Sequence, residues 1–346
     1  ATQKALRHNF QREGATYISV DPTKTSLTGT GGRIELGKNG GGNWRYDGGL
    51  IWRSPELELN DVGFLRRTDE IYQFTNLRYL WQIPTNVYRN ISAKLEQGTF
   101  YDFGGNLNRV RYELSGDFSW INNWSTEFGY GINTHFYDNF YLRGGPRFRR
   151  PNRGYTYLFL NSDRSKLFSF TLGYSNRHSS ENVTGRDRFV VRTNYQPTDA
   201  LSISFNVEYS NLFDRTQYVD DATFGSESRY VLGRIQNETL TTTLRLNYSF
   251  TPNISLQFYG QPFISRGVFS DLNYVTNPTA KSINDRIAVY DDNQISFQND
   301  NYLIDENRDG VVDYTIENPD FSFTQLQTNL VARWEYIPGS ELFLVW

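Results

Sequence analysis

Residues 239–250 read TLTTTLRLNYSF, and every second side chain in the run is of one kind. Leu240, Thr242, Leu244, Leu246, Tyr248 and Phe250 fall on one side of an extended chain. Thr241, Thr243, Arg245, Asn247 and Ser249 fall on the other. Successive side chains of a strand point to opposite faces, so this alternation specifies a strand with one greasy and one polar face. The pattern recurs. Val110, Tyr112, Leu114, Phe118 and Trp120 oppose Arg109, Arg111, Glu113, Ser115, Asp117 and Ser119; Leu201, Ile203, Phe205, Val207 and Tyr209 oppose Ser202, Ser204, Asn206, Glu208 and Ser210. Similar runs cover 124–136, 167–175 and 325–336, whereas 71–82 and 155–161 alternate less cleanly. Together they predict about fourteen strands: 31–38, 43–53, 69–82, 86–101, 107–121, 123–137, 154–161, 166–177, 187–196, 200–213, 228–251, 253–266, 321–337 and 341–346. A further strand is expected around 15–20. Many exceed the roughly 5–6 residues usual for soluble strands.

The connections sort by parity. After each odd-numbered strand comes a short run of turn formers: GKNGGGN, QIPTN, INNW, NSDRSK, QPTDA, TPN and IPGS. After most even-numbered strands comes a longer polar loop, at 54–68, 138–153, 178–186, 214–227 and, longest, 267–320. Parity also favours one long strand over two short ones at 228–251. Short turns on one rim and long loops on the other are the layout of an outer-membrane barrel.

A soluble sandwich also alternates, so composition and placement decide between the two. Aromatic residues make up 16% of the chain while all hydrophobics reach only 38%, fewer than a soluble domain of this size normally carries. Trp44, Trp52, Trp81, Trp120, Trp124, Trp334 and Trp346 sit near strand ends, where an interfacial girdle belongs. No apolar run reaches about 18 residues, so no transmembrane helix is expected; a barrel strand needs only about 9–11 alternating residues. In lipid every backbone N–H and C=O must pair, and with strands only a closed sheet achieves this. The expected fold is therefore all-β: a transmembrane antiparallel up-and-down barrel of about 14 or more strands, forming one domain over residues 1–346. A bore of that size is too wide for side chains alone to fill. It holds water, a plug or inward-folded loops.

Composition also excludes. There is no Cys, which removes disulfides, thiol catalysis and thiolate metal sites. There is no Met, and ATQKALRHNF carries no apolar run, so a processed or partial chain is expected. A net charge of -3 offers no global basic field for nucleic acid. The expected partners are outer-membrane lipid and lipopolysaccharide, with other outer-membrane or periplasmic proteins.

Several stretches resemble one family: SPELELNDVGFLRRTDE (54–70), YLRGGPRFRRP (141–151), LQFYGQPFISRG (256–267), DENRDGVVDY (305–314) and PDFSFTQLQTNLVARWEYIPGSELFLVW (319–346). They look like the C-terminal barrel domain of uncharacterised Bacteroidota outer-membrane proteins. In that family the domain commonly follows a module similar to family 9 carbohydrate-binding modules, and members are sometimes labelled hydrolases. The resemblance runs through nearly the whole chain and implies a Gram-negative outer-membrane location more than an activity. No such module is present here, and relatives usually continue past LFLVW into a further closing strand. The resemblance therefore implies a barrel portion of a longer protein.

Three groups of residues carry candidate chemistry. In the long extracellular loop 267–320, DENRDGVVD supplies oxygens at Asp305, Asn307, Asp309 and Asp313, with a backbone carbonyl at Val311 and Gly310 for the turn. That is the spacing of calcium loops, so Ca2+ is the expected cofactor, stiffening the loop. Ile316 stands where a bidentate Glu belongs, and the competing reading is a solvated acidic loop with Asx-turns. The loop LRGGPRFRRPNR gathers Arg143, Arg147, Arg149, Arg150 and Arg153. It reads as a cationic constriction, as a lipopolysaccharide phosphate site, or, the favoured reading, as a loop pinned to lumen carboxylates such as Glu113, Asp117, Glu127 and Glu208. On the wall, Arg109, Arg111, Arg192, Arg245 and Arg333 alternate with carboxylates including Glu113, Asp117 and Glu335. This reads as a salt-bridge lattice, or as a charge-selective lumen. Catalysis reads poorly: the three histidines His8, His135 and His178 fit no nucleophile–base pattern, and no P-loop, zinc motif or nucleophile elbow occurs. The expected role is an anchor or partner component of a surface or envelope assembly. A channel for small or extended solutes is the alternative, and the barrel of a glycan-acting hydrolase the third.

Overall fold

The computed structural model describes residues 2–59 and 63–346. Among these, the strands are β1 (Gly31–Lys38), β2 (Trp44–Arg53), β3 (Glu70–Trp81), β4 (Tyr88–Tyr101), β5 (Leu107–Trp120), β6 (Ser125–Thr134), β7 (Tyr137–Asp138), β8 (Phe148–Arg149), β9 (Arg153–Asn161) and β10 (Phe168–Ser179). They continue with β11 (Thr184–Thr198), β12 (Leu201–Phe224), β13 (Glu227–Thr251), β14 (Ile254–Val275), β15 (Ile287–Val289), β16 (Ile295–Gln298), β17 (Asn301–Ile304), β18 (Tyr314–Glu317), β19 (Phe321–Ile337) and β20 (Ser340–Val345). One sheet runs β1-β2-β3-β4-β5-β6-β9-β10-β11-β12-β13-β14-β19-β20, with β15 added beside β14. Pairing along it is antiparallel, as a chain turning back on itself at every strand requires. All fourteen expected strands are present, within a few residues except where β11, β12 and β14 run on beyond their expected ends. The one four-residue helix, α1 (Ile283–Arg286), is capped by Ser282, whose hydroxyl accepts from the Asn284 N–H.

Three expectations need correction. Residues 15–20 form no strand; irregular backbone leads into β1. Residues 214–227 are not a loop but the outer half of the β12–β13 hairpin, closed by Gly225 (φ +61°) and Ser226. The loop starting at 267 begins only after β14 has run to Val275, and it holds a small sheet of β16, β17 and β18. The physical reason is bulging. The β12–β13 register shifts between Asp214 and Gln217 and again between Tyr218 and Asp220, and β13–β14 shifts between Leu232 and Arg234. Each extra residue moves the period-2 pattern onto the other face, so alternation fades although the ladder continues.

The ladder ends at β1 and at β20, and no pairing joins these two strands. Its apolar face is open. Leu36 is 80% exposed, Leu114 56%, Leu158 52% and Leu326 69%, with Leu95, Phe128, Leu172, Phe189, Phe205, Leu240 and Ile264 also exposed on the strands between. Among the described residues no second sheet covers them, and no helix is long and apolar enough to cross a membrane, which says nothing of crossing by strands.

Aromatic residues gather where the short turns lie. Trp44 meets Tyr79 edge-on at 4.8 Å, Tyr79 meets Trp81 at 4.5 Å, Phe118 lies 4.1 Å from Trp120, and Tyr248 meets Phe250 at 4.5 Å. At the opposite limit of the apolar face, the Tyr174 hydroxyl donates to Asp187 (2.7 Å) and the Tyr209 hydroxyl to Glu238 (3.2 Å). On β13 the stretch between these limits is Leu240–Phe250, eleven residues by sequence number.

The buried cores lie at the long-loop end instead. One joins Leu142, Phe148, Val183, Tyr218, Leu232, Ile283 and Ile287; the other joins Val231, Leu272, Tyr290, Ile304 and Ile316. The strands that carry them, β12, β13 and β14, are 24, 25 and 22 residues long. At about 3.4 Å per residue they run to about 75–85 Å, far beyond what crossing a bilayer requires.

Candidate functional site

The polar face of the sheet and the cap at its long-loop end bear the candidate chemistry. The cap begins with the N-terminal segment. His8 is fully buried, with Nδ1 2.9 Å from the Pro55 carbonyl and Nε2 3.0 Å from the Glu58 carboxylate. Arg12 pairs with the buried Asp69 at 3.1 Å, and Tyr17 donates to the same carboxylate at 2.6 Å. The Asn9 amide donates to the Asn139 carbonyl (2.8 Å), and the Tyr230 hydroxyl of β13 donates to Glu13 (3.2 Å). This segment therefore ties the loops beside β2–β6 to the distant β13. Thr68 lies 3.4 Å from the His8 ring and donates to the Arg7 carbonyl at 2.9 Å. The group holds chain segments together.

The basic loop folds inward and is held mainly by rings. Arg143 lies over Tyr218 (4.5 Å), Arg147 over Tyr137 (4.0 Å), Arg149 over Tyr137 (5.6 Å) and Arg153 over Phe136 (4.4 Å). Arg150, 4% exposed, lies over Tyr141 (3.8 Å) and donates to Asp214 (2.9 Å) and Thr216 (3.2 Å). Burial pushes the Tyr141 phenol up to about 12, so it stays a neutral donor to the Thr216 carbonyl. The loop is pinned, but not to Glu113, Asp117, Glu127 or Glu208. Its partners include aromatic faces, Asn108 and the Leu107 carbonyl for Arg147, and Asp214 and Thr216 of the β12 extension, which the expected loop at 214–227 hid. A second clip fixes the insert: Arg286, 1% exposed, donates to the Arg149 carbonyl and to Glu181 (3.2 Å), whose other oxygen accepts from the Ile283 N–H (2.7 Å).

On the wall, the salt-bridge lattice is sparser than alternation suggests. Arg111 pairs with Glu113 on its own strand, and Arg333 with Glu335 (3.3 Å) and with Glu341 of β20. Arg109 instead lies over Phe100 (3.9 Å), and Arg245 over Tyr259 (5.1 Å). Asp117 accepts from Ser92 (2.8 Å).

The acidic loop closes on its own backbone. Asp305 accepts from the N–H groups of Asp309 (3.1 Å) and Gly310 (2.8 Å), Asn307 from Asp309 (2.9 Å), Asp309 from Val311 (2.9 Å), and Asp313 from Glu306 (2.7 Å). Among the described residues no three acidic or histidine side chains gather at one point that could hold a metal. These hydrogen bonds are those of Asx-turns.

Sequence reasoning placed strands at β9–β12 and named Arg192 and Glu208, but singled out no cavity there. Here Tyr155, Tyr157, Ser175, Arg177, Arg186, Arg188 and Glu208 line a cavity of about 390 Å³. The available signal was glycine. Gly131 and Gly129 stand opposite Tyr155 and Tyr157, and a Cβ at Gly131 would lie 2.2 Å from the Tyr155 ring. The rings lie over the glycines, and the Tyr155 and Tyr157 hydroxyls reach Glu113. No curated protein and no solved structure matches this chain. The family model described as a domain of unknown function (DUF5916) matches residues 2–346, and the chain belongs to that family.

Proposed function

We propose that the chain is an integral β-barrel of a Gram-negative outer membrane, acting as an anchor or partner component of a surface or envelope assembly. The observation that carries the membrane part is the uncovered apolar face. It runs from β1 to β19 with leucine and aromatic side chains exposed throughout. Soluble monomers rarely expose contiguous apolar patches beyond a few hundred Å². Hydrocarbon is the medium that removes this cost, and an aromatic belt along the short-turn rim suits it.

In that setting β1 and β20 must satisfy their free backbone groups, by pairing with each other or through a further strand. The anchor part rests on the cap: the N-terminal segment, the basic loop and the 276–320 insert bridge strands far apart in the sheet. A rim built this way presents a folded surface rather than an open mouth. The resemblance to Bacteroidota proteins that carry a carbohydrate-binding module upstream suits a cell-surface setting. The channel reading is favoured by the cavities on the polar face. Planar-bilayer recording separates the two: the anchor expects no stable open current from the purified chain, and a stable current overturns it in favour of the channel.

A further inference from the structure

On the polar face, Arg177 of β10 and Arg186 of β11 are direct cross-strand partners. Arg153 of β9 stands one step further, beside the Tyr155 that faces Arg177. Like charges directly opposite each other destabilise a sheet. Sequences avoid this arrangement unless something offsets it. Neither the Arg177 nor the Arg186 side chain makes a salt bridge or hydrogen bond within the described residues, and the Arg153 guanidinium lies over the Phe136 ring.

The neighbouring acids cannot serve. Glu113 is held by Arg111, Tyr155 and Tyr157; Glu208 is held by both nitrogens of a bidentate Arg188 (2.5 and 2.6 Å); Asp214 is held by Arg150 and Thr216. The Arg177 and Arg186 guanidinium groups are left over. A separate observation places space beside these two: both line the cavity of about 390 Å³, within the roughly 300–1,000 Å³ of ligand pockets.

The geometry points to an anion site here, in which Arg177 and Arg186 bind the phosphate or sulfate group of a small polar solute. Planar guanidinium forks match tetrahedral oxyanions bidentately, and the tyrosine rings beside them present flat faces to the rest of such a solute. The phosphate of a lipid headgroup shares this chemistry, but the cavity opens on the face opposite the apolar one. The site stands on the β9–β12 wall alone and does not depend on closure of the barrel.

The test is calorimetric titration of the full chain, in detergent free of lipopolysaccharide, with inorganic phosphate and with sulfate. Chloride at equal ionic strength is the control. Saturable binding of either oxyanion is expected, weakened about tenfold or more in the Arg177→Gln/Arg186→Gln double variant. Arg245→Gln, on the same face but outside the cavity, should leave binding intact. A single Arg186→Gln variant gives the same reading should the double variant not fold. The melting temperature provides an independent readout. Phosphate should raise it for the wild type and not for the variant, which without phosphate should melt no lower than the wild type. No binding beyond the chloride control, equal loss in Arg245→Gln, or full binding by the arginine variants would each overturn the site. Binding only when lipopolysaccharide is added would transfer the phosphate to the lipid and overturn it as well.

Discussion

At the scale of single residues, the side chains that organise the cap are charged groups withdrawn from water and individually partnered. Arg150 is the clearest. It is almost fully buried, capped by the Tyr141 ring and paired with Asp214. Removing one partner of a buried ion pair leaves an uncompensated charge and costs about 3–5 kcal/mol. Arg150→Ala should therefore loosen the rim without dissolving the sheet. The expected outcome in limited proteolysis is new cleavage within 138–153 and 276–290. Arg150→Leu with Asp214→Leu should regain much of the protection, since a packed apolar pair can replace a buried ionic one. A pinned arginine loop was legible in the sequence, but its partner was not. Asp214 lies 64 residues from Arg150, in a stretch that reads as loop, and nothing in local spacing names a partner so distant.

At the scale of strands, legibility followed regularity. Where a ladder runs without bulges, as in β5 with β6 or β10 with β11, alternation located the strand and assigned each residue to its face. Where the phase slips, as beyond Asp214, the same residues read as polar loop although they are paired. The acidic loop admits two readings. Its spacing suits a cation, but the same oxygens are equally able to accept backbone N–H groups, and here they do. Face assignment itself makes a sharp prediction. On β13, Leu244 sits on the apolar face near the middle of the Leu240–Phe250 stretch, and Thr243 on the polar face. In a lipid-embedded sheet Leu244→Arg should cost about 2–4 kcal/mol, while Thr243→Arg should be nearly neutral. Urea titration of both variants refolded into liposomes checks this, and equal costs would mean that the two faces do not meet different solvents.

At the scale of the whole molecule, the open question of architecture is the junction of the two sheet edges. The absence of cysteine makes it testable without background. Single cysteines introduced in pairs, at Arg33 or Glu35 of β1 with Glu341, Phe343 or Val345 of β20, should yield at least one oxidised cross-link in the membrane if these strands close the barrel directly. If none forms, the two edges are not neighbours. The alternation is silent on closure, because the hydrophobic pattern of a strand reports which face is greasy and not which strand lies beside it.

The cap also bears on how such a protein reaches its place. Its contacts join Glu13 to Tyr230 and Arg149 to Arg286, and one core runs from Leu142 to Ile287, so the rim is completed only when most of the polypeptide has been delivered. If the long segments cross a bilayer, the rim would finish folding only afterwards. Once locked together, it would resist slipping back, and threading would run one way.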